Sequence, residues 1–156
     1  MAKMNTRIRK KGYFGIGVYH SKNSVNIGTL WRTANIFGAD YIFTIGRRYK
    51  GQASDTMKTP RLIPLYHYDT FDEFKKNLPW GCRIVAIEIT PDAKHLKNFL
   101  HPKQACYVLG AEDTGIPEDI LKKCNDVVQL GGEYCMNVAT AGSIVIYDRV
   151  MTKQAG

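Results

Sequence analysis

The sequence predicts one α/β domain built on a mostly parallel sheet with helices on both faces. Three observations carry this reading. Apolar runs of strand length alternate with segments of helical periodicity through most of the chain. The runs at 83–89 and 105–109 are almost continuously apolar, as strands covered on both faces are. The chain has 156 residues, which is one domain's worth and spans 1–156 without a linker, repeat or low-complexity tract. At this size folding buries roughly 70% of the unfolded chain's surface, enough for a core without disulfide or metal staples.

The first strand is expected over 13–20, with Phe14, Ile16 and Val18 on one face. Ser24 is a suitable N-cap for a helix over 25–37, and Gly38 suits its end. Ile27, Leu30, Trp31, Ala34 and Phe37 form its apolar stripe, while Gly28, Arg32 and Asn35 share another face. A short strand follows over 41–45. Residues 47–61 lack periodicity and read as a mobile surface loop. A strand over 62–68 is interrupted by Pro64. Asp69-Thr70 caps a helix running through Lys76 that buries Phe71 and Phe74. Pro79-Trp80-Gly81 is a turn before the strand at 83–89, and 90–102 is a loop with room for one helical turn. The strand at 105–109 enters a glycine-bounded turn, then a helix over 117–123, a strand over 126–130 and a last helix over 137–151. Gly142 inside that helix costs about 1 kcal/mol relative to alanine, so a close approach is expected there.

Composition narrows the function. Hydrophobic content of 44% and charged content of 23% are ordinary for a soluble domain. No apolar run approaches the roughly 20 residues of a membrane span, and the basic start (1–12, expected as a flexible tail) lacks the apolar core of a signal peptide. A cytoplasmic protein is expected. Cys82, Cys106, Cys124 and Cys135 show no zinc-like spacing with each other or with a histidine, so buried reduced thiols and no metal are expected. His20, His67, His95 and His101 are scattered and suit surface or loop roles.

Net charge is +8, and it is one-sided: residues 1–61 hold 12 Lys and Arg against 2 Asp and Glu, while 62–156 hold 10 against 12. Lys10, Lys11, Arg47, Arg48 and Lys50 are the candidate phosphate contacts, interleaved with tyrosines. RNA or DNA is the first candidate partner for such a field, ahead of a membrane surface, which would want an amphipathic anchor. A merely solvated basic surface is the plainer alternative.

There is no phosphate-binding P-loop, no dinucleotide fingerprint and no Gly-x-Ser-x-Gly elbow. What remains is a pair of glycine-bounded loops, Gly110-Ala111-Glu112-Asp113-Thr114-Gly115 and Gly131-Gly132, each following a strand. Such loops expose main-chain groups to a flat ligand at the carboxyl ends of parallel strands. Taken singly, Asn137 reads as a helix cap, Cys135 as a small buried residue, Glu112 as a first-turn acid and Arg32 as a surface arginine.

Three segments together resemble the sequence motifs of the SpoU/TrmH-type RNA 2′-O-ribose methyltransferases of the SPOUT superfamily. Asn26, Arg32 and Ala34 match the first, Gly110, Glu112 and Gly115 the second, and Cys135-Met136-Asn137-Val138-Ala139 the third, in the family's order. The resemblance implies a deep C-terminal trefoil knot, S-adenosylmethionine as cofactor and a homodimer. It implies cofactor contacts at Ile87, Gly110, Val128, Leu130, Cys135 and Met136, and catalytic roles for Asn26, Arg32, Glu112 and Asn137. The implied reaction is methyl transfer to a ribose 2′-hydroxyl of a structured RNA, tRNA before ribosomal RNA. Two departures stand out: Cys135 occupies the position of the family's serine, and the loop before it is one residue short. Two alternatives stay open, a noncatalytic RNA-binding or assembly protein on the same fold and a methyltransferase acting on a base nitrogen.

Overall fold

The computed structural model describes residues 12–50, 63–133 and 135–152. The basic tail with Lys10 and Lys11, and most of the loop expected over 47–61, lie outside the described residues.

Among the described residues seven strands form one sheet: β1 (Tyr13–Tyr19), β2 (Tyr41–Ile45), β3 (Leu65–Tyr68), β4 (Arg83–Ile87), β5 (Lys94–His95), β6 (Gln104–Leu109) and β7 (Asp126–Gln129). Their order is β3-β2-β1-β6-β4-β7-β5, and every pairing is parallel. Side chains alternate between the two faces, as the period of a strand requires. Phe14, Ile16, Val18, Val85, Tyr107 and Leu109 pack on one face with α1 (Ser24–Ile36) and α4 (Val138–Tyr147). Phe43, Ile45, Ile84, Ala86 and Val108 pack on the other with α2 (Phe71–Lys76) and α3 (Glu118–Leu121). Each fully buried aliphatic side chain here contributes about 1.5–3 kcal/mol.

Most expected elements form, with instructive differences at their ends. Asn23, not Ser24, caps α1: its side chain accepts from Val25 N at 2.9 Å. Both residue types serve as caps, and the one outside the first turn wins. The apolar run at 83–89 stops being strand at Ile87, because the Glu88 carboxylate takes the Ile89 N–H at 2.9 Å and ends the ladder. Ile89 is consequently exposed. β3 begins only after Pro64, whose carbonyl accepts from Ile42 N. β5, a two-residue exposed edge strand, has no apolar pattern and was not expected from sequence; a short 3-10 turn (Leu96–Asn98) follows it. The helix expected over 117–123 is shorter, with Pro117 extended as its cap.

The last helix is α-helical only to Tyr147 and then widens into a π-turn, Asp148–Thr152. That turn feeds a buried network. Arg149 donates to the carbonyls of Pro102 and Lys103 and to the Tyr107 hydroxyl, and its guanidinium lies 4.8 Å from the Phe14 ring centre. His101 sits 2.7 Å from both the Tyr107 hydroxyl and Asp148. It lies in the loop before β6, one of the two roles expected for it, and is buried there. The cysteines also differ from expectation: Cys106 is buried, Cys82 and Cys124 are half-buried, and Cys135 is exposed, all as free thiols.

Gly142 explains itself. A Cβ there would lie 2.5 Å from Leu30 Cδ1 and 2.9 Å from Leu109 Cδ1, so the missing side chain lets α4 settle onto α1 and β6.

Candidate active site

The loops that follow β1, β4, β6 and β7 meet at the carboxyl ends of the strands, where ligands of open parallel sheets bind. Those after β4, β6 and β7 surround a cavity of about 960 Å³. Its apolar wall includes Ile87, Leu109, Leu130, Met136 and Val138, and its loops add Gly110, Gly131 and Cys135.

Three residues from distant parts of the chain join at one side of this cavity. Asn137 caps α4, its side-chain oxygen accepting from Thr140 N at 3.1 Å. Its amide nitrogen therefore points away and donates to Asn26 Oδ1 at 3.0 Å. With its oxygen so engaged, Asn26 donates through Nδ2 to Glu112 Oε1 at 2.7 Å. The helix cap thus sets the direction of the whole relay, which ends on a carboxylate. Ser21 Oγ reaches the same Glu112 oxygen at 3.5 Å. Next to it, Lys22 and Asp113 form a close ion pair, and that lysine holds the Asp113 carboxyl below the usual carboxylate range. Asn26 is buried, whereas Glu112 and Asn137 are exposed at the rim. Arg32 is exposed on the same helix as Asn26.

The expected cofactor contacts divide. Ile87, Gly110, Leu130, Cys135 and Met136 line the cavity. Val128 does not: its side chain is fully buried in the core, and its carbonyl accepts from Glu88 N at 3.0 Å. Strand alternation puts it on the inner side of β7, while Leu130 lies past the strand's end.

Glu88, which no motif signalled, holds the glycine loop in shape. Its Oε2 accepts from Ile116 N at 2.9 Å and would lie 2.4 Å from a Cβ on Gly115, whose φ is +64°. A Cβ on Gly110 would in turn strike the Gly115 backbone at 2.7 Å. The two glycines fold the loop back on itself under the carboxylate. The only sequence hint was an acid at the end of an otherwise apolar strand.

Arg47, Arg48 and Lys50 are exposed just beyond β2, at the same end of the sheet. Tyr49 between them is anchored: its ring packs edge-on to Trp31, and its hydroxyl comes within 3.6 Å of where a Gly28 Cβ would be. Among the described residues Gly28 therefore faces Tyr49. Trp31 Nε1 donates to the Ile63 carbonyl at 2.8 Å, and Asn35 Oδ1 accepts from Ile63 N at 3.2 Å, tying the far end of the same loop to α1. Among the described residues no cluster of His, Cys, Asp and Glu could hold a metal ion, and no helix is long and apolar enough to cross a membrane.

Comparison with known proteins agrees with this geometry. The sequence model of the SpoU rRNA methylase family matches residues 14–147. The chain is 22% identical over 135 residues to the tRNA (guanosine(18)-2′-O)-methyltransferase of Escherichia coli (strain K12), a match covering 83% of this chain and 59% of that protein. The chain thus spans less than two thirds of that relative's length. A solved structure concerned with 2-OH methylation of C/U34 on tRNA superposes with a TM-score of 0.75 at 22% identity, covering 88% of this chain and 94% of the other. The SpoU methyltransferase AviRb of Streptomyces viridochromogenes, solved with AdoMet, gives a TM-score of 0.74 at 17% identity, covering 100% of this chain and 64% of the other. At these identities the structural likeness establishes a shared fold.

Proposed function

The chain belongs to the SpoU rRNA methylase family, and we propose that it transfers a methyl group from S-adenosylmethionine to a ribose 2′-hydroxyl of a structured RNA, tRNA in preference to ribosomal RNA. The observation that carries this is the Asn137–Asn26–Glu112 relay, which brings all three family motifs to one rim of a cavity. The name of the E. coli relative supports tRNA.

The cavity fits the cofactor. It is large enough for a nucleoside with an amino-acid tail. Ile87, Leu109 and Leu130 give it an apolar side with glycine main chain beside it, as a purine site requires, and charged side chains such as Glu88, Asp92 and Lys94 line the rest. At Gly132 a Cβ would meet nothing within 4 Å, and at Gly131 only His95 at 3.9 Å, so the second glycine loop leaves open space. Ile87, Gly110, Leu130, Cys135 and Met136 would hold the cofactor, and Val128 would act only by pairing Glu88 in place. When bound, S-adenosylmethionine supplies an electrophilic methyl group on a sulfonium.

The remaining work is alignment and charge. Arg32 holds the phosphate beside the target ribose and stabilises the developing alkoxide, tasks suited to a planar guanidinium fork. Glu112 and Asn137 fix Asn26, and so fix the start of the helix that carries Arg32. Arg47, Arg48 and Lys50 grip the RNA backbone. Positioning of this kind accounts for most of the rate where the electrophile is already activated.

A homodimer and a C-terminal trefoil knot belong to the same proposal. Ile144 and Tyr147 on α4 and Ile36 on α1 are exposed apolar side chains, as a dimer face would need. For the knot, β7 lies beyond β4 while the helix after it returns to pack on α1. Light scattering that finds only monomer would refute the dimer, and an unthreaded experimental trace of residues 104–147 would refute the knot.

The decisive experiment is a calorimetric titration with S-adenosylmethionine followed by methyl transfer to bulk tRNA and nuclease mapping of the product. One-site binding and a nuclease-resistant ribose methyl are expected. A methylated base would move the reaction to a base nitrogen, and no binding with or without tRNA would favour the noncatalytic reading. Arg32→Ala is expected to lower transfer on the order of 100-fold or more while leaving cofactor affinity unchanged. Full activity in that variant would remove Arg32 from the mechanism.

A further inference from the structure

At the end of the sheet opposite the cavity, two thiols face each other. Cys82 Sγ lies 3.2 Å from Cys106 Sγ. Cys82 closes the Pro79-Trp80-Gly81 turn, just before β4, and is half-buried; Cys106 is fully buried in the middle of β6. Their approach is built by neighbouring residues. Gly15 stands between Tyr41 on β2 and Cys106 on β6 in the sheet register. A Cβ on Gly15 would lie 2.3 Å from the Tyr41 ring, so its absence lets that ring lie across β1 and set its hydroxyl against the Cys106 sulfur in a close contact.

We propose that Cys82 and Cys106 form a peroxide-responsive dithiol that converts reversibly to an intramolecular disulfide. Nothing in the methyl-transfer chemistry uses either residue.

The pair divides the work as redox-sensing thiols do. Hydrogen bonding from Cys106 holds Cys82 below the ordinary thiol range, with a smaller contribution from Arg149, whereas burial pushes Cys106 up. The accessible thiol is thus the better thiolate, and the buried one is placed to resolve it. The Cys82 thiolate attacks one oxygen of a hydroperoxide. The O–O bond breaks, a sulfenic acid forms on Cys82, and the other oxygen leaves as an alcohol, or as water from hydrogen peroxide, after taking a proton. Cys106 then attacks the Cys82 sulfur. The S–S bond forms, the S–O bond breaks, and the hydroxide leaves as water with the Cys106 proton. Closing the bond shortens the sulfur separation to about 2.05 Å. The segment before β4 supplies that movement, because Cys82 precedes the strand and is not held in its ladder. Thiol reduction restores the pair.

The test treats the native full-length protein with hydrogen peroxide, alkylates the remaining thiols and maps peptides by mass. A Cys82–Cys106 linked pair lacking two hydrogens, lost on dithiothreitol treatment, is expected, with Cys124 and Cys135 alkylated. In Cys106→Ser, Cys82 should stop at a sulfenic acid trapped by dimedone. The half-buried Cys82→Ser variant, the safer one for folding, should give no linked peptide. Two outcomes overturn the proposal: Cys82 and Cys106 both recovered as alkylated thiols under peroxide that oxidises Cys135, or a link that forms only in urea.

Discussion

Asn26 is the residue on which the site turns, because it accepts from one motif and donates to another. Replacing it with aspartate keeps its shape and reverses one bond: two carboxylates would then face each other at the 2.7 Å contact with Glu112. Such a pair cannot hold both charges, so one proton is retained and its pKa rises. Asn26→Asp is expected to be less stable than wild type by about 1–3 kcal/mol at neutral pH, recovering toward acid as the two groups share a proton. The sign follows from the raised folded pKa: the folded variant binds the extra proton, so its stability falls as pH rises through that value. Urea unfolding at pH 5 and pH 8 reads the difference, and equal losses at both would refute the electrostatic account. At this scale the sequence was legible where a motif singled out a residue, as for Asn26, Glu112 and Asn137. It was silent on Glu88 and on the burial of His101, which depend on what the fold brings against them. Val128 was assigned to the cofactor by resemblance; strand alternation turns its side chain into the core.

Among elements, the loop between β6 and α3 takes a conformation that depends on two missing side chains, those of Gly110 and Gly115. Gly115 has φ +64° and lies under the Glu88 carboxylate. Gly115→Ala adds left-handed strain of roughly 1–2 kcal/mol and displaces Glu88 from Ile116 N. The expected result is weaker S-adenosylmethionine binding with little change in the far half of the sheet, measured by calorimetry alongside hydrogen exchange of β2 and β3. Wild-type affinity would show that the loop is not held in this shape for the cofactor. Element types were legible because buried parallel strands and amphipathic helices carry different periods. Their ends were less so. The strand at 83–89 stops where a carboxylate captures the next N–H, and the last helix widens where Asp148 and Arg149 turn toward His101 and Tyr107. These are tertiary contacts with no local signature, and β5 is too short and polar to have one.

For the whole molecule the informative quantity is where the charge lies. The chain carries +8, and its basic excess falls within residues 1–61. The described part of that half places Arg47, Arg48 and Lys50 beyond β2, at the sheet end that also holds the cavity. A field of this sign beside the proposed cofactor site would steer a polyanion toward it, and each neutralised phosphate would release counterions. Tyr49, wedged against Trp31, ties the segment that carries these basic residues to α1, the helix that also carries Arg32. Reversing Arg47 and Arg48 to glutamate should weaken RNA binding without touching the cavity. The slope of log affinity against log salt should flatten by roughly 0.7–0.9 for each phosphate that is no longer neutralised. S-adenosylmethionine affinity should stay at its wild-type value, which separates weakened RNA binding from a damaged fold. Unchanged RNA affinity and slope would assign these arginines to solvation alone and move the RNA footprint to the other basic residues of the amino-terminal half.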